Sequence, residues 1–416
     1  MNRLSRGDIQ AVLSRLRTFD SLGQRDYRIF WASVMAQFMG MNMQMLARSW
    51  FMYDLTSSAL LLGVTGVANG VPMLLLSPLG GALADRVDKR NLLTGGVLFL
   101  GFVTLGIGLL VSLGFIKWWY LLISSFCNGA TFALTVPARQ SAVPQLVGKD
   151  KVLNAVSLNA AGQNMSRLVG PALAGFLVAP IGIDGVYYVI SAMFFLSAIT
   201  MRFLPPLKST NGGRRQAVAT EVVEGMRYAR RNTVIMLLLL MAFVTVILAM
   251  PLQLLLPVFT ENILNVGPEG LGVLMSMMAV GSLGGAVGAA SLRSSFHRKG
   301  MLLLWGTLFL GAGILAFSFA RIYALVALLM VPVGLGQSGR MVLNNALVLT
   351  NTPPEFQGRV MSLYMMTWGF QPLGTLPMGA LADMYGIAPV LGVAGAILAA
   401  FSLCLMAFSP KIRRLP

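Results

Sequence analysis

The sequence predicts an all-α membrane protein with twelve transmembrane helices in two groups of six. Hydrophobic residues make up 56% of the 416 residues and charged residues only 11%, whereas soluble domains average about a quarter charged. Apolar runs of membrane length alternate with short polar breaks, and one longer polar break divides them six and six. Lys and Arg concentrate in every second break, as the positive-inside rule requires of a chain that crosses a membrane repeatedly.

Each predicted span is an apolar run of roughly 20 residues. We place the spans at 28–53, 58–84, 92–114, 118–140, 152–179, 186–204, 233–258, 269–291, 301–320, 323–349, 360–382 and 389–409. The first bundle then covers 28–204 and the second 233–409, with tails at 1–27 and 410–416 and a central loop at 205–232. The tail 1–27 is polar and lacks a cleavable apolar region, so the first span is expected to direct insertion.

The basic residues predict the orientation. With both termini in the cytoplasm, Lys117 and Arg321 are the only basic residues in external segments. Arg48, Arg167 and Arg340 remain well inside spans, and the others of the 31 Lys and Arg residues fall in cytoplasmic segments or at the cytoplasmic ends of spans. The net charge of +17 is therefore interpreted as a topology signal and a contact with anionic lipid, and not as a nucleic-acid surface.

The central loop is expected to hold an amphipathic helix on the cytoplasmic face, outside both bundles. Its apolar stripe consists of Val218, Val222, Met226 and Ala229. Arg227, Arg230 and Arg231 would then face the lipid headgroups.

A charged motif, Gly-Gly-Ala-Leu-Ala-Asp-Arg-Val-Asp-Lys-Arg at 80–90, separates the second and third spans. Five charges between two membrane-length apolar runs must lie in water. The pattern resembles the loop motif of the major facilitator superfamily of transporters, although Asp88 stands where that family usually has Gly. The resemblance implies a cytoplasmic gate in which Asp85 approaches the start of the eleventh span near Arg359–Met361. The implied gating residues are Gly81, Asp85, Arg86, Lys89, Arg90 and Arg359.

A second motif, Gly-Pro-Ala-Leu-Ala-Gly at 170–175, lies in the fifth span. Its glycines and proline permit a bend and close helix packing. It resembles the fifth-span motif of antiporters in the same superfamily, with Ser166 in place of an upstream Gly. The resemblance implies outward transport and assigns the bend to Gly170, Pro171 and Gly175.

Two later phrases, Glu-Gly-Met-Arg-Tyr at 224–228 and Pro-Glu-Phe-Gln-Gly-Arg-Val-Met at 354–361, match the same superfamily. The chain resembles its enterobactin (siderophore) exporter and macrolide efflux branch. This resemblance implies two pseudo-symmetric six-helix bundles around a central cavity, in a bacterial inner membrane. It also implies export by alternating access, with H⁺ as the coupling ion. Multidrug or macrolide efflux is the alternative within this branch, and a channel or non-transporting receptor is the alternative of another class.

Polar side chains inside the spans are the candidates for the substrate cavity, because polar groups in hydrocarbon are costly. Several share a helix face at spacings of three or four residues. The candidates are Gln37, Gln44 and Arg48 in the first span, Asn128 and Thr131 in the fourth, Gln163 and Arg167 in the fifth, Gln337 and Arg340 in the tenth, and Trp368 and Gln371 in the eleventh. Hydrogen bonding between helices is the alternative role for the polar residues, and packing is the alternative for Trp368.

Other classes of protein lack support in the sequence. No Gly-x-x-x-x-Gly-Lys-Ser/Thr phosphate cradle occurs, and the Gly-x-Gly-x-x-Gly at 334–339 follows no strand. The single histidine, His297, has no second ligand nearby, and Cys127 and Cys404 lie in apolar runs. The spans hold no histidine and no paired carboxylates. We therefore expect no enzyme, no cofactor, no metal and no disulfide framework.

The charges in the spans leave two roles open, internal hydrogen bonding and the binding of an anionic substrate. All 14 acids lie in loops or at span ends, so Arg48, Arg167 and Arg340 lack a carboxylate at their depth, and no obvious proton carrier is available there. A buried unpaired guanidinium is costly and cannot readily lose its proton. These arginines could hydrogen-bond to carbonyls and to amides such as Gln163. The sharper hypothesis is a substrate with carboxylate, phenolate or catecholate groups, bound chiefly by Arg48 and Arg340.

Overall fold

The computed structural model describes residues 17–148, 151–207, 218–291, 298–413 and 415. All regular elements in these ranges are helices. They are α1 (Arg25–Thr56), α2 (Ala59–Arg86), α3 (Lys89–Ser112), α4 (Trp118–Val147), α5 (Val152–Arg202), α6 (Val218–Arg231), α7 (Thr233–Leu248), α8 (Pro251–Phe259), α9 (Pro268–Ala290), α10 (Lys299–Phe319), α11 (Tyr323–Thr350), α12 (Pro354–Gly369), α13 (Pro372–Tyr385), α14 (Ile387–Phe408) and α15 (Pro410–Arg413). A short 3₁₀ helix (Arg17–Gly23) precedes α1, and a π-helical turn (Thr260–Leu264) extends α8.

Twelve membrane passes follow from the described helices. Nine stretches are long and apolar enough to cross a bilayer. One of them lies within α5, whose 51 residues would extend about 75 Å, more than twice the hydrocarbon thickness. Its two passes, together with α1 and the α12–α13 pair, complete the twelve. The predicted all-α fold class is confirmed.

The fifth and sixth spans join without the loop that the sequence suggested. Gly182 is the single non-helical residue inside α5, with φ 71° and ψ 172°. Positive φ costs glycine little because it has no Cβ. One glycine therefore reverses the chain direction where a longer connection was expected at 180–185.

The seventh and eleventh spans are each broken within the predicted run. The seventh divides into α7 and α8, and the eleventh into α12 and α13. Pro251 and Pro372 occupy the first positions of the second segments. Proline has no amide hydrogen to continue the preceding helix but suits the first turn of a new one.

Each half packs its second span against its fourth through glycines. In the first half Gly80 lies against Ala133, and Gly129 lies against Asn69. In the second half Gly281 lies against Val331, and α9 and α11 pack along much of their length. The absence of a Cβ lets the backbones approach closely. This shared pairing is what pseudo-symmetric halves require.

The helix bundle has two opposite ends, which we call the termini end and the far end. The termini end carries both terminal segments and the central helix α6. The far end carries the connections at 57–58, 113–117, 182, 260–267, 320–322 and 386. The terminal segments are packed at their end: Ser21 N donates to Asn154 Oδ1 at 3.1 Å, and Gly300 N donates to Leu415 O at 3.3 Å.

The hydrophobic core is divided at the termini end and shared at the far end. One cluster within 27–207 belongs to the first half, and another within 229–415 belongs to the second. The largest cluster joins both halves, with Met43 and Tyr187 from the first and Leu252 and Leu391 from the second. Among the described residues, the cores of the two bundles are therefore joined at the far end and separate at the termini end.

Candidate transport cavity and its gates

Contacts between the halves run from the middle of the molecule to the far end. In α2, Gly63 lies against Thr375, Gly70 against Pro372, and Leu74 against Gly369. Ser77 follows seven residues after Gly70 on the same face, and it is exposed. The seam between α2 and the eleventh span thus ends near the middle of α2.

A second seam joins α5 to α9 and ends at a similar depth. Ser276 Oγ donates to Leu168 O at 2.7 Å, and Gly272 lies against Pro171. Towards the termini end, Ala161 continues the α5 face and is exposed, while Val287 continues the α9 face and is 63% exposed. A cleft between the halves therefore opens at the termini end.

One face of α5 shows the depth of this cleft. Val156, Ala160, Gln163, Arg167 and Ala174 share that face by helical spacing. Val156 is 51% exposed, Arg167 is also exposed, and Ala174 at the far end is fully buried. Gln163 and Arg167 therefore lie along the open part of the cleft, above its closed floor.

Gln44 of the first span and Asn128 and Thr131 of the fourth are buried inside the first half. Asn128 Nδ2 donates to Gln44 Oε1 at 2.8 Å, and Gln44 Nε2 donates to Thr104 Oγ1 at 3.1 Å. Thr131 is buried with its methyl group towards Gly96 of α3. In this conformation these side chains connect helices and do not face the cleft.

Gln37 and Arg48 lie on either side of Gln44 along α1, and each has a polar atom without a hydrogen-bond partner among the described residues. Gln37 is buried, and its Oε1 has no hydrogen-bond partner among the described residues. Arg48 is half-buried, and within the same residues its Nη1 and the hydroxyl of Tyr187 are also without a partner. The charge of Arg48 acts on Tyr187, the two groups being close enough to interact electrostatically. Nη1 of Arg48 is therefore a buried donor that no described residue satisfies.

Arg139 is a buried guanidinium that the sequence analysis placed with the cytoplasmic segment after the fourth span. The structure includes it in α4, only 8% exposed, with its guanidinium 5.0 Å from the ring centroid of Phe38. Its Nε and Nη2 find no acceptor in the part of the chain that the structure describes. Its spacing from Asn128 and Thr135, on one helix face, is the sequence signal that could have identified it.

Arg340 is the corresponding buried charge of the second half. It is 4% exposed, packs against Gly306 of α10, and acts electrostatically on Tyr364. For its Nε and Nη1, the described residues supply no hydrogen-bond partner. Gln337, one turn away and half-buried, approaches Met250 Sδ at 3.8 Å.

Trp368 and Gln371 flank the break in the eleventh span. Both are half-buried, and the intervening Phe370 packs edge-on against Phe243 of α7 at 5.7 Å. Gly369 lies against Leu74 of α2 at the same level. These two candidates therefore lie where the closed seam meets the cleft.

The fifth-span motif lies between α1 and α9. A Cβ on Gly170 would be 2.8 Å from Asn42 Cβ, and Gly175 lies against the carbonyl of Pro268. The carbonyl of Pro171 faces Gly272. Close packing explains the small residues here, because a larger side chain would separate the helices.

The predicted cytoplasmic gate is described only in part. The surroundings of Gly81, the side chain of Asp85 and the whole of His297 lie outside the described residues. Arg86 is exposed, Lys89 is buried, and Arg90 Nη1 donates to Leu204 O at 2.9 Å.

Arg359 is paired with Glu224 of α6. Its Nη2 lies 3.1 Å from Glu224 Oε2. Tyr228 stacks on Phe356 beside this ion pair, with ring centroids 4.6 Å apart. The central helix is thus attached to the start of the eleventh span.

The far end is closed by polar contacts that the sequence did not predict. Asp383 of α13 accepts hydrogen bonds from the beginning of α2. Asn262 Nδ2 donates to Tyr53 Oη at 2.7 Å, joining the end of α1 to the extension of α8. Both contacts link the halves. Elsewhere in the described ranges, no cluster of three or more metal-ligating side chains occurs, and Cys127 and Cys404 are unpaired.

Comparison with known sequences identifies one family over almost the whole chain. The family described as "Transmembrane secretion effector" matches residues 16–414. The staphyloferrin A transporter of Staphylococcus aureus is 25% identical over 371 residues, covering 88% of this chain and 92% of that protein. The enterobactin exporter EntS of Shigella boydii is 26% identical over 74% of each chain. The macrolide efflux protein A of Streptococcus pyogenes is 22% identical over 86% of this chain and 89% of that protein.

Solved structures show the same fold at low sequence identity. The nucleoside transporter NupG superposes with a TM-score of 0.75 at 15% identity, covering 93% of this chain and all of that one. A bacterial homologue of the lysosomal transporter Spinster, solved in an inward-facing conformation, gives a TM-score of 0.71 at 14% identity. That match covers 94% of this chain and 98% of the other.

Proposed function

Because the chain belongs to the transmembrane secretion effector family of major facilitator transporters, we propose that it exports an anionic siderophore-like molecule across the bacterial inner membrane. The proposed orientation puts the termini end in the cytoplasm, as the distribution of basic residues predicts. The cleft is then open to the compartment from which an exported substrate enters. The mechanism is alternating access: the cleft closes at the termini end before it opens at the far end.

The observation that supports an anionic substrate is the set of unpaired guanidinium groups. Arg139 and Arg340 are buried and have donor atoms that no described residue accepts from, and Arg167 is exposed along the cleft. All 14 acids of the sequence lie at or beyond the predicted span ends, and no carboxylate among the described residues forms an ion pair with these groups. A ligand with carboxylate or catecholate oxygens offers such donors charge-assisted hydrogen bonds.

The names of two relatives agree with this chemistry. Staphyloferrin A and enterobactin are the molecules printed in the names of the S. aureus transporter and the S. boydii exporter. We propose the same substrate class here, with Arg48, Arg167, Arg340, Gln37, Gln163, Gln337, Trp368 and Gln371 lining the route, and Gln44, Asn128 and Thr131 supporting it. We further propose H⁺ as the coupling ion, no catalysis, no cofactor and no nucleic-acid partner.

Drug or macrolide efflux is the second candidate, and the methionines of α1 favour it. Met35, Met39, Met41 and Met45 are partly buried along the first span. Flexible thioethers adapt to ligands of varied shape, as promiscuous binding surfaces require. The macrolide efflux protein of S. pyogenes has its name from that activity.

Transport assays on reconstituted protein separate the two candidates. Wild type, Arg48→Gln and Arg340→Gln would be assayed for export of a catecholate or carboxylate siderophore, a neutral macrolide and a lipophilic cation. Loss of a charge-assisted contact of about 1.5–3 kcal/mol predicts a fall of roughly tenfold or more for the anion alone. Arg321→Gln is the matched control, because Arg321 contacts the carbonyls of Ser318 and Ala320 at the far end. Export of cations or macrolides without any export of anions would replace the siderophore assignment by drug efflux.

A further inference from the structure

The carboxylate of Asp383 spans the boundary between the halves at the far end. Its Oδ1 accepts from Ala59 N at 2.6 Å, and its Oδ2 accepts from Leu60 N at 3.0 Å and from Ser58 Oγ at 2.8 Å. Asp383 belongs to α13 in the second half, whereas 58–60 begin α2 in the first. One side chain therefore makes three hydrogen bonds across the interface.

The chemistry of a helix start makes these bonds strong. The first amide groups of α2 have no acceptor within their own helix, and the helix dipole favours a negative charge beside them. Bonds from amides to a carboxylate are charge-assisted, so they exceed those between neutral groups. Removing the carboxylate would leave the first amides of α2 without this acceptor.

The backbones around Asp383 are shaped to let it reach α2. Gly379, one turn earlier in α13, lies against the carbonyl of Ala59, and Gly63 of α2 lies against Thr375. A side chain at either glycine would push the helices apart. The closest approach of α2 and α13 therefore lies directly beneath the hydrogen-bonded carboxylate.

We propose that Asp383 is the latch of the far-end gate, whose release from the start of α2 is required for the cavity to open at that end. The latch favours the conformation that is open at the termini end. The Asn262–Tyr53 hydrogen bond closes the same end between α1 and the α8 extension, with only neutral groups. Asp383 is thus the charged contact of the two and makes three hydrogen bonds where Asn262 makes one, and it acts whichever small molecule the cavity carries.

Labelling of a single cysteine tests the latch without any substrate. Ser276→Cys is introduced in a Cys127→Ser, Cys404→Ser background, because Ser276 is buried between α5 and α9 on the closed seam. A membrane-impermeant maleimide added from the far side reaches this position only when the far end opens. Asp383→Ala is expected to raise the labelling rate about tenfold, and Ser58→Ala, which removes one neutral donor, about twofold.

Asp184→Asn is the matched control, because Asp184 also lies at the far end but accepts its hydrogen bond from Ser112 within the first half. It should leave the labelling rate unchanged. Asp383→Glu should restore at least part of the parental protection, and gel filtration with a melting curve establishes that each variant is folded. If folded Asp383→Ala and Ser58→Ala both label at the parental rate, Asp383 is not the latch. That result would leave the proposed substrate untouched, since the assay contains none.

Discussion

The two ends of the eleventh span, α12 and α13, make charged contacts of different kinds. At the far end Asp383 bonds to the opposite half, at the first turn of α2. At the termini end Arg359 forms an ion pair with Glu224 of the central helix, and with no described residue of the opposite half. The α12–α13 pair is therefore bonded to the opposite half at the far end. At the termini end it is bonded to the central helix α6 instead.

The hydrophobic clusters repeat this contrast. The shared cluster at the far end must be divided when that end opens, whereas the two separate clusters at the termini end can persist unchanged. Burial of apolar surface stabilises each arrangement by about 25 cal/mol per Å². The surface lost at one end must therefore be compensated by new contacts at the other, which a rigid-body rocking motion provides.

The largest expected effect comes from preventing closure at the far end. Gly379→Leu would place a bulky side chain against the carbonyl of Ala59, so the α2–α13 seam could not form. We expect export to fall to less than about a tenth of the wild-type rate, measured in proteoliposomes. Gly106→Leu is the control, because nothing lies within 4 Å of its Cβ position. Wild-type export by folded Gly379→Leu would show that closure does not need this seam.

A second prediction concerns the end that is open here. When the termini end closes, Asp85 is expected to meet the start of α12 near Arg359–Met361. Asp85→Asn should reduce export about tenfold while the protein remains inserted, because a neutral amide is held less firmly by the helix N-terminus and Arg359. Asp88→Asn is a suitable comparison, since within the described residues Asp88 caps its own helix by accepting from Asn91 N.

The prediction about Asp85 has two ways to fail. One is normal transport by Asp85→Asn. The other is a structure closed at the termini end in which Asp85 lies far from this segment.

The smallest expected effect comes from the central helix. It is opposite to that of Asp85→Asn, because it favours closure of the termini end. Glu224→Gln removes the ion pair with Arg359. The side chain of Glu224 is 34% exposed and that of Arg359 is 28% exposed. Solvent screening limits such a pair to about 0.2–1 kcal/mol, so we expect a shift of less than about fivefold towards closure of the termini end. Maleimide labelling of Val156→Cys, which faces the open cleft, should slow accordingly. Faster labelling would mean that Glu224 helps to close this end instead.

The helices were more predictable than the contacts between them. Apolar run lengths and the clustering of basic residues are local signals, so twelve passes could be predicted. The bonds of Asp383 join residues 323 to 325 positions apart, and no periodicity within one helix reveals such a partner. Arg139 was counted with the cytoplasmic segment because it stands one residue before the predicted end of the fourth span, whereas α4 continues to Val147. Pro251 and Pro372 are plain in the sequence, but the predicted spans ran through both positions, so the helix breaks there were not predicted.

The division of the core also bears on how the chain assembles during synthesis. The cluster of the first half uses only residues 27–207, so it can form before the second half has been made. The shared cluster needs side chains as late as Leu398, and it must wait for nearly the whole chain. Because domains generally fold as units in the order of synthesis, the first bundle should exist for a time with its far-end surface uncovered. During that interval the uncovered apolar surface of the first bundle is available to a chaperone or to the insertion machinery.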